Sequence, residues 1–261
     1  MKAFKKILKT NVVWAAVAAA ILFAAWQLAY VGIKNQYILP GIGQTFAAFF
    51  ALFAESSFYL ALGNTLLRTV ISFVVSFAAA AVFAAVSAVC RQFKVVCSCL
   101  ISVVRTLPTM AVTLMLLIWS TPQVAPAIVT ALVLFPMVYS QFMAAIEGID
   151  KNLLEMAEVY RISRRDKLTK IILPAVAPEV ISQVGAGLSL GIKVMVSAEV
   201  LSYTLHSLGG MMQQANLYLR IPRFAALTLV CVLIGLIMEM LSLGLKMLVG
   251  RWAIKEGANA D

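Results

Sequence analysis

The sequence is poor in charged residues and in histidine. Only 12% of its 261 residues are charged, whereas 62% are hydrophobic, and its mean hydropathy is +0.96. Soluble domains carry about 25% charged residues, so this composition excludes an ordinary soluble domain and predicts a protein of the lipid bilayer. A single histidine and four cysteines without a Cys-x-x-Cys pair predict neither a metal site nor a disulfide framework.

Catalytic groups are also missing from the apolar stretches. They contain no paired aspartates, histidine-rich tract or Ser-Lys pair, so a membrane-embedded enzyme is disfavoured and no catalytic residue is predicted. The phosphate-binding pattern Gly-x-x-x-x-Gly-Lys-Ser/Thr is absent as well. We therefore expect no cofactor on this chain.

Six long apolar runs predict an all-α membrane protein with six transmembrane helices. A run of about 20 apolar residues crosses roughly 30 Å of hydrocarbon as a helix, in which every backbone polar group is satisfied internally. The runs lie at residues 12 to 33, 62 to 90, 96 to 120, 125 to 146, 175 to 204 and 223 to 249.

The first apolar run follows a basic tail, and a shorter apolar segment comes after that run. Four lysines, at positions 2, 5, 6 and 9, precede the first run as in a signal peptide, but the missing small-residue cleavage pattern favours a retained span. The segment "GIGQTFAAFFALFAE" has an apolar core of only about ten residues. It is too short to cross, and we expect it to lie in the membrane interface.

Basic residues predict the orientation. The N-terminal tail, the turn at 91–94, the connection at 148–174 and the C-terminal end carry 4, 2, 6 and 3 lysines or arginines, whereas the opposite loops hold only Lys34, Arg220 and Arg223. The richer side is cytoplasmic by the positive-inside rule, so both termini are expected there. This distribution also explains the net charge of +10 without a nucleic-acid partner.

The connection at 148–174 is charged and compact. Asp150 is placed to cap a first short helix, and Ser163 with Asp166 forms a capping-box pattern for a second. Pro174 and then Pro178 are expected to end that second helix. This connection is either an ordinary cytoplasmic loop or a rigid projection that binds a soluble partner protein.

The stretch "LLEMAEVYRISRRDKLTKIILPAVAP" resembles the EAA loop of permease subunits in bacterial ATP-binding-cassette (ABC) importers. That loop has the pattern Glu-Ala-Ala-x-x-x-Gly, followed after a spacer by Ile-x-Leu-Pro. Glu155, Ala157, Ile171, Leu173 and Pro174 match it in order. The segments "NTLLRTVISFVVSF", "VVRTLPTMAVTLMLLIW" and "WQLAYVGIKNQYILPGIGQTFAAF" are also similar to the family, the last to its nitrate, sulfonate, taurine and thiamine-precursor branch.

This resemblance implies the type I ABC importer permease fold in the bacterial inner membrane. It implies an N-terminal region at 1–57, a permease core at 58–252 with the coupling loop at 148–174, and a tail at 253–261. The implied partners are two ATP-binding subunits that carry ATP and Mg²⁺, an extracytoplasmic solute-binding protein, and a second permease copy or a homologue. The residues implied to couple to the ATPase are Glu155, Met156, Ala157, Arg161, Ile162, Ser163, Leu173 and Pro174.

Two positions of the coupling loop depart from the family pattern. Met156 replaces the first alanine, which a packed helix tolerates. Arg161 stands where the family usually has glycine, and a left-handed conformation there costs a non-glycine residue on the order of 1 kcal/mol. Either Arg161 bears that cost or the turn has a different shape.

Two ionisable residues in the fifth run are candidates for the translocation path. Lys193 and Glu199 are both costly in hydrocarbon unless paired or hydrated. Their spacing places them about 240° apart on a helix, so they cannot share a face. Lys193 could pair with an acid on another span or attract an anionic substrate, and the substrate itself stays undetermined. A secondary transporter is the alternative function, but it usually has internal repeats, and none is convincing here.

Overall fold

The computed structural model describes the backbone of residues 2–33, 35 and 37–258. It describes their side chains except at residues 2–13, 15, 16, 19, 151, 154, 164, 168, 182, 242, 243 and 245–258. All regular secondary structure within the described residues is helical. The helices are α1 (Lys2–Ile33), α2 (Ile42–Leu52), α3 (Ser56–Val89), α4 (Arg91–Thr106), α5 (Thr109–Trp119), α6 (Ala125–Glu147), α7 (Lys151–Val159), α8 (Arg164–Asp166), α9 (Leu173–Leu201), α10 (Leu208–Leu217) and α11 (Ile221–Ala258).

Four of the described helical stretches are long and apolar enough to cross a membrane. They are Ser56–Val89, Ala125–Glu147, Gln183–Leu201 and Ile221–Leu241. The pair α4 and α5 gives a fifth if the two helices form one bent span. The chain is therefore an all-helical membrane protein with four to five candidate spans among its described residues.

The predicted run at 12 to 33 falls partly outside the described side chains. Its described part, Ala20–Ile33, is a shorter apolar helix. The segment predicted to lie in the interface also forms a short apolar helix, α2. This length agrees with the expectation that α2 does not cross.

The chain divides into two compact units. The first consists of Met1–Ser56 and Met212–Val230, and the second of Ser57–Met211 and Cys231–Asp261. In the first unit, Arg223 donates to both carboxylate oxygens of Glu55, at 2.6 and 2.7 Å. Trp26 donates its indole N–H to the carbonyl oxygen of Pro40 at 3.0 Å, which fastens α1 to the turn that precedes α2.

The second unit is built around α3, α6 and α9. Small residues let these helices approach closely. A Cβ atom added to Gly187 of α9 would lie 2.7 Å from the ring of Phe73 on α3. Serines on α3 add hydrogen bonds to α6, since Ser72 donates to the carbonyl oxygen of Ala127 and Ser76 to that of Ala131.

The third apolar run breaks at Pro108. Helix α4 ends at Thr106, α5 begins at Thr109, and the two are bent by 94°. Proline removes a backbone donor and disfavours helix in the residue before it, and Leu107 is extended. Arg105, in the last turn of α4, donates to the Pro136 carbonyl oxygen at 3.1 Å and to the Ser140 hydroxyl.

The prediction that Pro174 and Pro178 end a second short helix is wrong. Helix α8 continues through a π-helical turn at Lys167–Ile172 directly into α9, with Pro174 in its first turn and Pro178 inside it. A proline has no N–H to donate and its ring crowds the preceding turn, and the wider π-helical turn before Pro174 accommodates both effects. The 148–174 segment thus runs into the fifth apolar run as one interrupted helix.

Candidate coupling and translocation sites

The N-terminal half of the 148–174 segment forms α7 as predicted. The Asp150 side chain accepts a hydrogen bond from the backbone N–H of Asn152 at 2.9 Å and so caps the helix. Ala157 is buried, with 1% of its surface exposed, whereas Glu155 points to the exterior. The alanine anchors α7 and leaves the glutamate available on its outer face.

The helix α7 ends in a Schellman turn. The backbone N–H of Ile162 donates to the Ala157 carbonyl oxygen at 2.9 Å, and that of Arg161 to the Glu158 carbonyl oxygen at 3.0 Å. Arg161 has a φ of 50°, in the left-handed region. Arg161 therefore keeps the turn that glycine usually makes and bears its energetic cost.

Polar contacts hold the next part of the segment together. The Ser163 hydroxyl accepts from the Asp166 N–H at 3.1 Å and donates to the Asp166 carboxylate at 2.8 Å, which confirms the capping pair. Lys170 lies 2.9 Å from the same carboxylate. The hydrogen bonds from Lys170 and Ser163 lower the pKa of Asp166. Lys167 reaches back 3.2 Å to Glu158 and ties the π-helical turn to α7.

An apolar face of α7 is exposed, and the sequence pattern did not predict it. Val159 is 79% exposed, Tyr160 75% and Met156 45%. They lie at helical spacings of three and four, so they form one patch, which we call the α7 apolar patch. Tyr160 recurs with Leu153 and Ala157 at helical spacing, a pattern that by itself predicts one buried side for all three. Only packing could show that Ala157 is the one buried residue among the described side chains of α7.

The other predicted coupling residues lie along the same segment. Ile162 is half-buried beside the Schellman turn, and Ser163 is exposed. Leu173, 60% exposed, and Pro174 begin α9 beyond the π-helical turn. The eight predicted coupling residues therefore lie on the stretch that runs from α7 into the first turn of α9.

Beyond Pro178, the exposed described side chains of α9 lie on one stripe, which is mostly polar. Glu179, Gln183, Ala186, Leu190, Lys193 and Ser197 follow one another at steps of four and three and are exposed or half-buried. We call this set the α9 stripe. The remaining described positions between 180 and 199 are buried or half-buried. An exposed stripe that faced lipid would be apolar, so its polar residues indicate a water-filled or protein-covered surface.

Lys193 occupies the middle of the α9 stripe. Its side chain is exposed, and none of the carboxylates described by the structure forms an ion pair with it. Since an intramembrane lysine is costly without a partner or water, Lys193 needs either water or a partner from outside these residues.

Glu199 lies on another face of α9, where its side chain is fully buried. Its carboxylate accepts from the Thr65 hydroxyl at 2.9 Å, from the Arg68 guanidinium at 3.1 Å and from the Gly209 N–H at 3.2 Å. These groups join α3, α9 and the start of α10. The sequence placed Arg68 and Glu199 in different apolar runs, and nothing in their spacing predicted that they would pair.

The fold and these sites together define a class of protein. Bilayer-length helices, an exposed charged segment between two of them and a polar stripe on a span are the features of a membrane transport subunit. Residues 91–246 match the family of binding-protein-dependent transport system inner membrane components, and the chain belongs to that family. It is the transmembrane permease component of a binding-protein-dependent transport system and a multi-pass inner membrane protein.

Two curated relatives are distant. The chain is 25% identical over 175 residues to an aliphatic sulfonates transport permease protein of Bacillus subtilis, covering 66% of this chain and 63% of that protein. It therefore spans a little under two thirds of that relative's length. It is 23% identical over 228 residues to an ABC transporter permease protein of Methanocaldococcus jannaschii, covering 84% of each.

Solved structures share the fold. An amino acid ABC transporter crystallised with histidines matches with a TM-score of 0.58 and 18% identity, covering 74% of this chain and 93% of that one. A bacterial alginate ABC transporter in complex with a periplasmic protein bound to alginate pentasaccharide matches with a TM-score of 0.63 and 16% identity, covering 92% of both chains.

Proposed function

We propose that this permease has six spans with both termini in the cytoplasm, and that the 148–174 segment docks into a groove on a separate ATPase subunit. The docking proposal rests on the α7 apolar patch, which lies beside the exposed Glu155. The helix that bears the patch ends in a Schellman turn. An exposed patch of Met156, Val159 and Tyr160 on a rigid helix suits burial in a hydrophobic groove. The basic-residue distribution supports the orientation.

The proposed complex contains two ATPase subunits, which hold ATP and Mg²⁺. Their closure on ATP would move the two coupling segments, and the π-helical turn makes each segment mechanically continuous with α9. Glu155 and Arg161 would present charge to the groove, and Leu173 and Pro174 would transmit the movement to the span. On this proposal 1–57 is the N-terminal region, 58–252 the permease core and 253–261 the tail.

The α9 stripe is proposed to line the translocation path together with a second permease copy or a homologue. Its steps of four and three are the spacing at which one helix seats against another, and its polar residues suit contact with water and solute. An extracytoplasmic binding protein would deliver the solute. Lys193 would then provide the positive charge in mid-membrane, and Glu199 would stabilise the end of α9 that carries it.

An anionic small solute is the substrate class that this arrangement favours. Lys193, which pairs with none of the described carboxylates, would attract an anion in a site of low dielectric. The Bacillus subtilis relative, named for aliphatic sulfonates, supports the same class.

The docking proposal is tested with the permease, its ATPase and its binding protein expressed together. Val159→Ser with Tyr160→Ser, and separately Glu155→Gln, should reduce ATPase copurification and ATP-driven uptake, roughly tenfold for loss of one hot-spot contact. Tyr203→Ser is the matched control, because Tyr203 is also exposed, at 58%, but lies outside the segment. Normal copurification and uptake in the double variant would exclude this docking mode.

A further inference from the structure

Helix α4 lies antiparallel along the second half of α6. Lys94 pairs with Glu147 at 2.7 Å at one end of this contact, and Arg105 donates to the Pro136 carbonyl oxygen at 3.1 Å at the other. On each helix the two contact residues are eleven positions apart, which is roughly 16 Å of helix. Pro136 is the middle residue of α6, a candidate span of 23 residues. Arg105 therefore lies halfway along that span, whereas Lys94 lies at its end.

Arg105 has no acidic partner in the part of the chain that the structure describes. None of the ion pairs there includes it. Its hydrogen bonds to the Pro136 carbonyl oxygen and to the Ser140 hydroxyl both come from Nη2, and both accept at neutral groups. The N–H groups on Nε and Nη1 have no acceptor among the described residues, so three of the five guanidinium donors are left over.

The charge of Arg105 is costly at this depth. An arginine keeps its proton at physiological pH, so a change of protonation cannot relieve the cost of placing it in mid-membrane. Water can accept hydrogen bonds from the three remaining donors, but it does not neutralise the charge. The site therefore favours an anion.

The side of α4 that carries Arg105 is polar and exposed. Ser98, Ser102 and Arg105 follow one another there at steps of four and three. Another exposed side is apolar and carries Val96, Leu100 and Val103 at the same steps. The two sets are offset by two residues, which places them about 160° apart on the helix. Lipid suits only the apolar side, so the polar side indicates contact with water or a polar ligand.

We propose that Arg105 binds an oxyanion of a small solute, such as a carboxylate, sulfonate or phosphate group, beside the break between α4 and α5. The guanidinium is the counter-ion, and its N–H groups on Nε and Nη1 donate to the oxygens of the anion. The site shares no residue with the α9 stripe. That the anion belongs to the translocated solute rests on the function proposed above, whereas the existence of the site does not.

The depth of Arg105 favours a solute over a lipid headgroup as the source of the oxyanion. Headgroup phosphates lie at the surface of the bilayer, outside roughly 30 Å of hydrocarbon. The end of α6, where Lys94 lies, is the position that suits a headgroup. Arg105 is roughly 16 Å further along the span.

Thiol labelling of the full-length chain in nanodiscs tests the site. The native cysteines are replaced by alanine, and Ser102→Cys is introduced one turn before Arg105. The thiol is labelled with anionic sulfonatoethyl methanethiosulfonate or with cationic trimethylammonium-ethyl methanethiosulfonate. Each rate is divided by that of the same reagent with glutathione. Leu100→Cys, on the apolar side of α4, is the matched control reporter.

The anionic reagent should react roughly tenfold faster than the cationic one at Ser102→Cys, because of the nearby guanidinium. Arg105→Gln should abolish this preference and Arg105→Lys should keep it, while Leu100→Cys should show none. Lys193→Gln should leave the preference at Ser102→Cys unchanged, because Lys193 belongs to the α9 stripe. Equal rates with the two reagents while Arg105 is present, or a preference that survives Arg105→Gln, would overturn the proposal.

Occupancy by an oxyanion is measured with the neutral reagent methyl methanethiosulfonate. In phosphatidylcholine nanodiscs, millimolar sodium methanesulfonate should slow labelling of Ser102→Cys at least twofold, and only while Arg105 is present. Sodium chloride at the same concentration should not slow it, which separates binding from screening. No protection by methanesulfonate, or protection by added phosphatidylglycerol instead, would exclude a solute site. These rates require neither ATPase nor uptake, so the site can fail while the proposed function holds, and the reverse.

Discussion

The backbone N–H of Ile162 donates to the carbonyl oxygen of Ala157 at 2.9 Å, across a turn whose central residue, Arg161, has a φ of 50°. This hydrogen bond joins the exposed end of α7 to the buried Ala157. The shape of the proposed docking segment thus depends on a residue that is energetically unsuited to its conformation.

Arg161→Gly should stabilise this turn. Glycine removes the left-handed strain of about 1 kcal/mol but adds backbone entropy to the unfolded chain, so the net gain is on the order of 0.5 kcal/mol. Hydrogen exchange at the Ile162 amide should slow about twofold. Arg161→Ala is the control, because it removes the charge and keeps the strain. Equal protection in both variants would show that the arginine side chain, and not its backbone, sets the stability of the turn.

Separating Glu199 from Arg68 should destabilise the permease. Glu199 is fully buried and the Arg68 side chain is 18% exposed, so either group left alone is a poorly solvated charge. Glu199→Gln and Arg68→Gln should each cost about 3 kcal/mol. The double variant should cost clearly less than the two single losses combined, as measured by denaturation of the purified protein. Additive losses would mean that the two side chains are not coupled.

Gly187→Ala should also destabilise the protein, through close packing. The new methyl group would lie 2.7 Å from the Phe73 ring, and overpacking typically costs about 1 to 3 kcal/mol. Gly63→Ala in α3 is the matched control, since a Cβ atom there meets nothing within 4 Å. Alanine should be neutral or favourable at that position. The melting temperatures of the two variants, compared by thermal denaturation, test whether α9 packs against Phe73 as closely as in the structure.

Lys193→Gln should lower uptake of the solute bound by the partner binding protein. Loss of a hydrogen bond to a charged group costs about 1.5 to 3 kcal/mol, which corresponds to a tenfold or larger reduction. ATPase copurification should be unchanged, because Lys193 lies outside the coupling segment. Lys193→Arg should retain most of the uptake. If Lys193→Gln transports normally, the lysine does not contact the solute.

Low pH should destabilise the N-terminal turn of α8. The pKa of Asp166 is lowered from its usual value near 3.8 by Lys170 and Ser163, so the stabilisation is complete above that value and is lost as the pH falls through the lowered pKa. Amide exchange at Asp166 should accelerate below that point. In Asp166→Asn the exchange rate should lack this transition, once corrected for intrinsic pH dependence. A transition that persists in Asp166→Asn would have to arise from another group.

Much of the 148–174 segment could be predicted from the sequence because its signals are local. Asp150 caps α7, and Ser163 pairs with Asp166, since each contact joins residues only two or three positions apart. The break at Pro108 was predictable for the same reason. The effect of Pro174 was not, because a proline interrupts a helix or is absorbed by a π-helical turn according to what the helix packs against.

The sequence by itself determined that this is a helical membrane protein, which family it belongs to, and where its charged segment lies. These follow from composition, apolar run length and the spacing of a few residues. Only the tertiary structure decided that Glu199 is buried against Arg68 while Lys193 stays exposed, and that Met156, Val159 and Tyr160 face outward. Pairing across 131 residues and the choice of buried helix face depend on which helices pack together, and that information is not local.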